Sequence, residues 1–213
     1  MKLYSFFRSS TSFRLRIALA WKGLPHETLG VSLPGMKHRE PDFLAINPQG
    51  LVPALVTDEG QVFTQSLAMI EWLDEKYPEP SLMPRDADER WYVRAVSQII
   101  GCEIHPLNNV RVLKYIKNTL GATPEQNQEW YEHWIREGLS GLEQFLLTQK
   151  RHGKFCLGDT FSMADVCLVP QIYNAKRFNC DLSPYPTVMG IFANCDVLDC
   201  VRSTEPETQA DKI

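Results

Sequence analysis

The chain has 213 residues, 44% of them apolar and 23% charged, with 26 acidic against 22 basic side chains and a net charge of −4. That balance lies near the globular average and argues against a disordered or fibrous chain, while the length suffices for one large core or two modest ones. There is no basic tract of five residues and no apolar stretch near the ~18 residues of a membrane span, so neither nucleic acid nor a membrane is expected as a partner.

Lys2 to Phe6 reads as a short strand, with no signal-peptide h-region at this start. Arg14 to Lys22 is a run of good helix formers, and Gly23 follows as a stop. Thr28 to Leu33 reads as a second strand, and residues 37–45 as a weak, polar helix. Leu51 to Val56 is an apolar run interrupted by Pro53; the Asp58-Glu59-Gly60 turn then leads into a short strand, Gln61 to Phe63. Leu67, Ile70, Leu73 and Tyr77 recur at spacings of three and four, which predicts an amphipathic helix over Ser66 to Lys76. The order βαβαββα implies a small mixed sheet with helices on its faces.

Three prolines between Tyr77 and Pro84 read as a linker, dividing the chain into a first domain at 1–80 and a second at 86–213. The second half is helical by pattern. One long segment is predicted from Asp86 to about Leu120, bent at Pro106, whose missing N–H breaks the ladder. Pro124 to Gln149 is another, with Pro124 in its first turn. Ser162 to Lys176 carries a capping box, with Ser162 at the N-cap, Asp165 at N3 and a Phe161/Val166 staple around them. A short helix runs from Pro184 to about Asn194. The six cysteines form no CxxC pair and sit mostly in apolar patterns, the signature of reduced thiols in a cytoplasmic protein.

Chemistry is expected first at Arg8-Ser9-Ser10-Thr11-Ser12, four consecutive hydroxyls between a strand and a helix. Unpaired helix N–H groups and hydroxyls can together donate to a thiolate or carboxylate; no GxSxG elbow supports a serine nucleophile. The second feature is Asn47-Pro48-Gln49-Gly50-Leu51-Val52-Pro53-Ala54-Leu55. A cis Val52-Pro53 bond there would leave the Val52 N–H and C=O to pair with an extended ligand backbone. The third is Gln65-Ser66 at a helix start. No His, Cys, Asp or Glu grouping has metal-ligand spacing, so no metal is expected.

Taken together, Ser-Ser-x-Ser-x-Arg-x-Arg-Ile-Ala-Leu at 9–19, Asn-Pro-x-x-x-Val-Pro-x-Leu at 47–55 and Gln-Ser at 65–66 resemble zeta-class glutathione transferases, a family that includes maleylacetoacetate and maleylpyruvate isomerases. The resemblance runs on through Cys102 to Asn109, Gly158-Asp159, Ala164-Asp165 and Pro170 to Phe178. It implies the glutathione transferase fold: an α/β thioredoxin-like N-terminal domain that binds glutathione, and an all-α C-terminal domain completing the substrate site. It also implies a homodimer. The chain departs from the zeta pattern at Thr11, where cysteine is frequent. That substitution argues against thiol-dependent dehalogenation and leaves isomerisation open, because isomerisation uses the glutathione sulfur.

The implied reaction is cis–trans isomerisation of a maleyl keto-acid through reversible addition of the glutathione thiolate to the alkene. Maleylacetoacetate is the leading substrate, with maleylpyruvate as the alternative; general conjugation, α-halo-acid dehalogenation or a non-catalytic binding module are further alternatives. By resemblance, Ser10 and Ser12 would hold the thiolate with Ser9 and Thr11 nearby, and Ser10 would make the closest contact. Val52, next to Pro53, would pair with the cysteinyl backbone, and Gln65 and Ser66 would hold the γ-glutamyl carboxylate. His38 and Gln49 would serve the glycyl end, and Asn109 would reach glutathione from the helical domain, with His105 a polar neighbour. Arg8, Arg111 and Arg177 would receive the substrate carboxylates, since a guanidinium fork suits a carboxylate.

Overall fold

The computed structural model describes residues 1–212. The chain divides into two compact units, one of Met1–Met83 joined by the segment from Val197 onward, the other of Pro84–Asp196.

In the first unit, β1 (Lys2–Ser5), α1 (Ser10–Trp21), β2 (Glu27–Gly30), α2 (Pro41–Ile46), β3 (Ala54–Val56), β4 (Val62–Phe63) and α3 (Ser66–Lys76) follow the predicted βαβαββα order. The sheet runs β2-β1-β3-β4. β1 pairs with β2 in parallel, Leu3 opposite Thr28, and with β3 antiparallel, Leu3 opposite Leu55. The weak helix over 37–45 is split into a 3₁₀ turn, Lys37–Arg39, and α2, because Pro41 opens a new first turn. β2 stops at Gly30, short of the predicted Leu33.

α1 begins at Ser10, four residues before the predicted start, because Ser9 caps it by accepting the Ser12 N–H. Its charged residues are not on a solvated face. Arg14 and Arg16 are 1% and 2% exposed and Lys22 at its end is 7% exposed. The Lys22 ammonium spends its three protons on Asp74 Oδ1 (2.8 Å), Tyr77 O (2.7 Å) and Pro80 O (3.0 Å). Asp74 in turn accepts the Leu82 N–H at 2.6 Å and the Ser81 hydroxyl at 3.4 Å. The pair therefore binds α1, α3 and the proline-rich segment into one piece.

The helical pattern assigns residues 86–213 to the second domain. The last segment instead packs with the first unit. The Arg16 Nε–H donates to Thr204 O at 3.1 Å, the Phe7 N–H donates to Asp211 Oδ2 at 2.9 Å, and Val201 on α9 (Asp199–Arg202) is fully buried.

The second unit holds α4 (Ala87–Gln98), α5 (Val110–Asn118), α6 (Pro124–Gln149), α7 (Met163–Arg177) and α8 (Pro186–Asp196). The single bent helix predicted over 86–120 is instead two helices. α4 continues into a π-helix, Ile99–Ile104, closed by a bond from the His105 N–H to Ile100 O. Pro106 cannot extend that ladder, and Asn109 restarts the chain as the N-cap of α5. Gly138 on α6 makes room for the π turn, since a Cβ there would collide with Ile104 Cγ1. The α7 box is present as predicted, with Asp165 Oδ2 accepting both the N–H and the hydroxyl of Ser162 at 2.9 Å. Burial pushes the Asp165 carboxyl above its usual range, against the donors that surround it. All six cysteines are free thiols, and burial raises the Cys156 thiol well above its ordinary value.

Lys22→Met should lower unfolding free energy by about 3–5 kcal/mol, because the buried Asp74 carboxylate then loses its cation. Urea denaturation checks this. The double variant with Asp74→Leu should recover part of the loss, and a single-variant cost under about 1 kcal/mol would show the pair to be dispensable.

Candidate functional site

The hydroxyl run follows a tight turn, in which the Ser9 N–H donates to Phe6 O at 2.9 Å. Its four hydroxyls differ in role. Ser12 is fully buried and its Oγ accepts the Phe6 N–H at 3.5 Å, so it braces the turn from inside and does not face a ligand as expected. Ser9 and Thr11 are joined in a relay of fixed direction. The Thr11 hydroxyl donates to Val52 O at 2.9 Å, and a carbonyl can only accept. The 2.9 Å contact between Ser9 Oγ and Thr11 Oγ1 must therefore take its proton from Ser9. Ser9 Oγ accepts the Ser12 N–H at 3.2 Å in return. Both protons are thus committed before any ligand arrives. Ser10, 4% exposed, is the first residue of α1, and among the described residues nothing accepts the Thr11 N–H beside it.

The relay ends on the second predicted feature. Val52-Pro53 is a cis peptide bond. The Val52 carbonyl is not left open, as the sequence suggested, because Thr11 already occupies one of its acceptor positions. Its N–H has no acceptor among the described residues. The loop before it is held by Asn47, whose amide donates to Leu51 O at 2.7 Å and accepts the Gln49 N–H at 3.1 Å. Gly50 has φ +60°, and a Cβ there would lie 2.8 Å from His38 O and 2.9 Å from an Arg39 nitrogen. That close approach sets the His38 carbonyl against Gly50, the residue after Gln49. It also brings in Arg39, whose guanidinium lies 3.4 Å from Gln49 O and which the sequence reading passed over. A glycine following Asn-Pro-Gln was the available signal.

The third feature is linked to the second by the Gln65 amide, which donates to Gln49 Oε1 at 2.9 Å. Gln65 has φ +68°, a left-handed conformation rare for a residue with a Cβ, and it offers no side-chain cap to α3. The N–H groups of Ser66, Leu67 and Ala68 accordingly have no acceptor among the described residues. The other long helices all have side-chain partners at their starts: Ser9, Asp86, Asn109, Thr123 and the Ser162/Asp165 box, with Glu143 accepting the Thr187 and Val188 N–H groups of α8 at 2.9 Å. α3 therefore presents open donors at the positive end of its dipole, a fitted place for a carboxylate. The first unit thus displays donors for a thiolate at α1, for an extended backbone at Val52 and for a carboxylate at α3.

In the second unit the Asn109 amide lies 3.4 Å from His105 Nε2, and its oxygen accepts the Arg111 N–H at 3.0 Å as the cap of α5. Arg111 is exposed on that first turn. Trp130 Nε1 donates to Leu107 O at 3.0 Å and the Asn108 amide to Tyr131 O at 3.1 Å, pinning the loop to α6. Tyr131 stacks on Phe178, whose ring carries the Arg177 guanidinium at 4.7 Å. Arg8, in the first unit, is exposed with its guanidinium 4.9 Å from the Phe7 ring. Among the described residues no group of three His, Cys, Asp or Glu side chains could hold a metal ion, and no helix is long and apolar enough to cross a membrane.

Residues 8–76 match the glutathione S-transferase N-terminal domain family. A maleylpyruvate isomerase of Ralstonia sp is 48% identical over 211 residues, 99% of each chain. A holo maleylpyruvate isomerase structure, described as a bacterial glutathione S-transferase of the zeta class, is 47% identical with a TM-score of 0.96 over 100% of both chains. The maleylacetoacetate isomerase of Methylobacterium extorquens AM1, solved with bound malonate and GSH, is 37% identical with a TM-score of 0.95 over 98% of both. With its α/β first unit, its helical second unit and these full-length likenesses, the chain belongs to the zeta-class glutathione transferase family.

Proposed function

We propose that this protein is a glutathione-dependent isomerase that converts a maleyl keto-acid to its fumaryl form. Glutathione, when bound, supplies the thiolate whose reversible addition to the activated C=C bond permits rotation about it. The observation that carries the reading is the trio of open donor sets in the first unit, in a chain whose full-length relatives are named as isomerases of such acids.

The chain's own residues divide the work. Ser10 and the Thr11 N–H, at the positive end of α1, favour the thiolate over the thiol and so lower the thiol pKa. Thr11 and Ser9 hold the Val52 carbonyl, which orients the adjoining N–H toward the ligand backbone. Gln65, Ser66 and the first N–H groups of α3 bind the γ-glutamyl carboxylate. His38, Arg39 and Gln49 serve the glycyl carboxylate. Asn109 and His105 are the candidate contacts from the helical unit. Arg8, Arg111 and Arg177 provide cationic forks for the substrate carboxylates, which an acidic chain must otherwise repel. A homodimeric, cytoplasmic enzyme is the corresponding expectation, and a stable monomer on gel filtration would overturn the dimer.

Maleylacetoacetate and maleylpyruvate share the reacting group. The first remains the leading substrate from the sequence, and the 48% identity to a maleylpyruvate isomerase favours the second. Assaying both side by side, with and without glutathione, separates them. A tenfold preference in kcat/KM, about 1.4 kcal/mol, would assign the substrate. Absence of turnover on either, with glutathione bound, would overturn the isomerase reading.

Thr11→Val should weaken glutathione binding about fivefold, since it removes one hydrogen bond worth about 1 kcal/mol, whereas Thr11→Ser should bind as the parent does. Equal affinity for all three, read by calorimetry, would remove Thr11 from the site. Arg177→Gln should raise KM for the anionic substrate about tenfold or more while leaving glutathione affinity unchanged.

A further inference from the structure

The residues that follow α8 carry no role in the reaction as described, yet they grip the turn from which the hydroxyl run springs. That turn is Phe6-Phe7-Arg8-Ser9, closed by the Ser9 N–H on Phe6 O. Both polar groups of the Phe7 residue are held from outside it. The Phe7 N–H donates to Asp211 Oδ2 at 2.9 Å, across 204 residues of chain. The Phe7 carbonyl accepts from the Arg16 guanidinium at 3.0 Å. Arg16 is itself fixed by the same C-terminal segment, since its Nε–H donates to Thr204 O at 3.1 Å, with a further bond to Ser5 Oγ at 3.2 Å. A third observation stands apart from these bonds. A Cβ on Gly30, at the end of β2, would lie 2.9 Å from Asp211 Cβ, so the absence of a side chain at 30 leaves Asp211 its place.

We propose that residues 197–212 are a strap for the hydroxyl turn, with Asp211 as a positioning residue for glutathione binding. This rests on the glutathione reading above. Asp211 touches neither ligand in that reading; it acts through the Phe7 N–H. Arg8 and Ser9 follow Phe7 directly, so a fixed Phe7 peptide sets where the Arg8 fork stands and where Ser9 begins its relay to Thr11 and Val52. Freed from the carboxylate, the turn gains alternative orientations, and binding must then select one of them.

The test compares Asp211→Ala, Asp211→Asn and Gly30→Ala with the parent. Asparagine keeps an acceptor oxygen but drops the charge. Asp211→Ala should weaken glutathione about fivefold and raise the thiol pKa of bound glutathione, seen by thiolate absorbance against pH, as expected for one lost hydrogen bond. Asp211→Asn should restore both, and Gly30→Ala should reproduce the alanine defect from a residue outside the site. In the ligand-free protein, amide exchange at Phe7 and Ser9 should accelerate in the alanine variant while β3 and α3 keep their protection. Unchanged exchange and affinity in Asp211→Ala would overturn the strap. So would an asparagine variant as impaired as alanine, because charge rather than the bond would then be responsible. Faster exchange at the turn in the alanine variant, alongside a parent that binds no glutathione, would retain the mechanical brace but overturn its role in binding, and would count against the glutathione reading separately.

Discussion

An α-helix opens with backbone N–H groups that nothing in the helix can accept, and the way this chain settles them governs the rest of its structure. At α7 an aspartate inside the helix reaches back to Ser162; at α8 the carboxylate comes from a different helix, as Glu143 of α6. These starts are closed and serve packing. α1 is half closed, because Ser9 satisfies the Ser12 N–H and leaves the Thr11 N–H. α3 is left open behind a glutamine in a left-handed conformation. The distinction between scaffold and site is therefore a distinction between paired and unpaired amides. It needs no exotic side chain.

Much of this was legible in the sequence. The capping box at Ser162 and Asp165 is local, so its signature and its geometry coincide. The same is true of Ser66–Lys76 and Pro124–Gln149, whose limits are set by apolar spacing and by a proline suited to a first turn. The order of the three motifs was also readable, and so was the family that carries them.

What was not legible depended on distant partners. Arg16 and Lys22 look like the solvated stripe of a surface helix, and only the Asp74 carboxylate, the Ser5 hydroxyl and the carbonyls of Phe7, Thr204, Tyr77 and Pro80, brought together by the fold, offset the cost of their burial. The C-terminal segment has short, mixed helical signals that name no partner, so its return to the first unit could not be read from it. The π turn at Ile99–Ile104 sits in space left by Gly138, over thirty residues downstream. Ser12 and Ser10 are alike in type and lie two apart, yet one is sealed beneath the turn while the other opens the helix. Residue identity could not separate them.

The crossing between the units has a mechanical consequence. Proline-rich joints are commonly treated as slack that tolerates cutting or insertion. Here the Trp21 indole donates to Ser81 O, Ser81 bonds to Met83 O, Leu82 is anchored on Asp74, and Pro84 O is already taken by Arg90. The chain passes from one anchorage to the next within a single peptide, between Met83 and Pro84. A cut or an insertion at residues 81–83 would have to break the buried bond from Leu82 to Asp74. For anyone who would split, permute or graft this protein, the proline-rich stretch is the wrong place to cut.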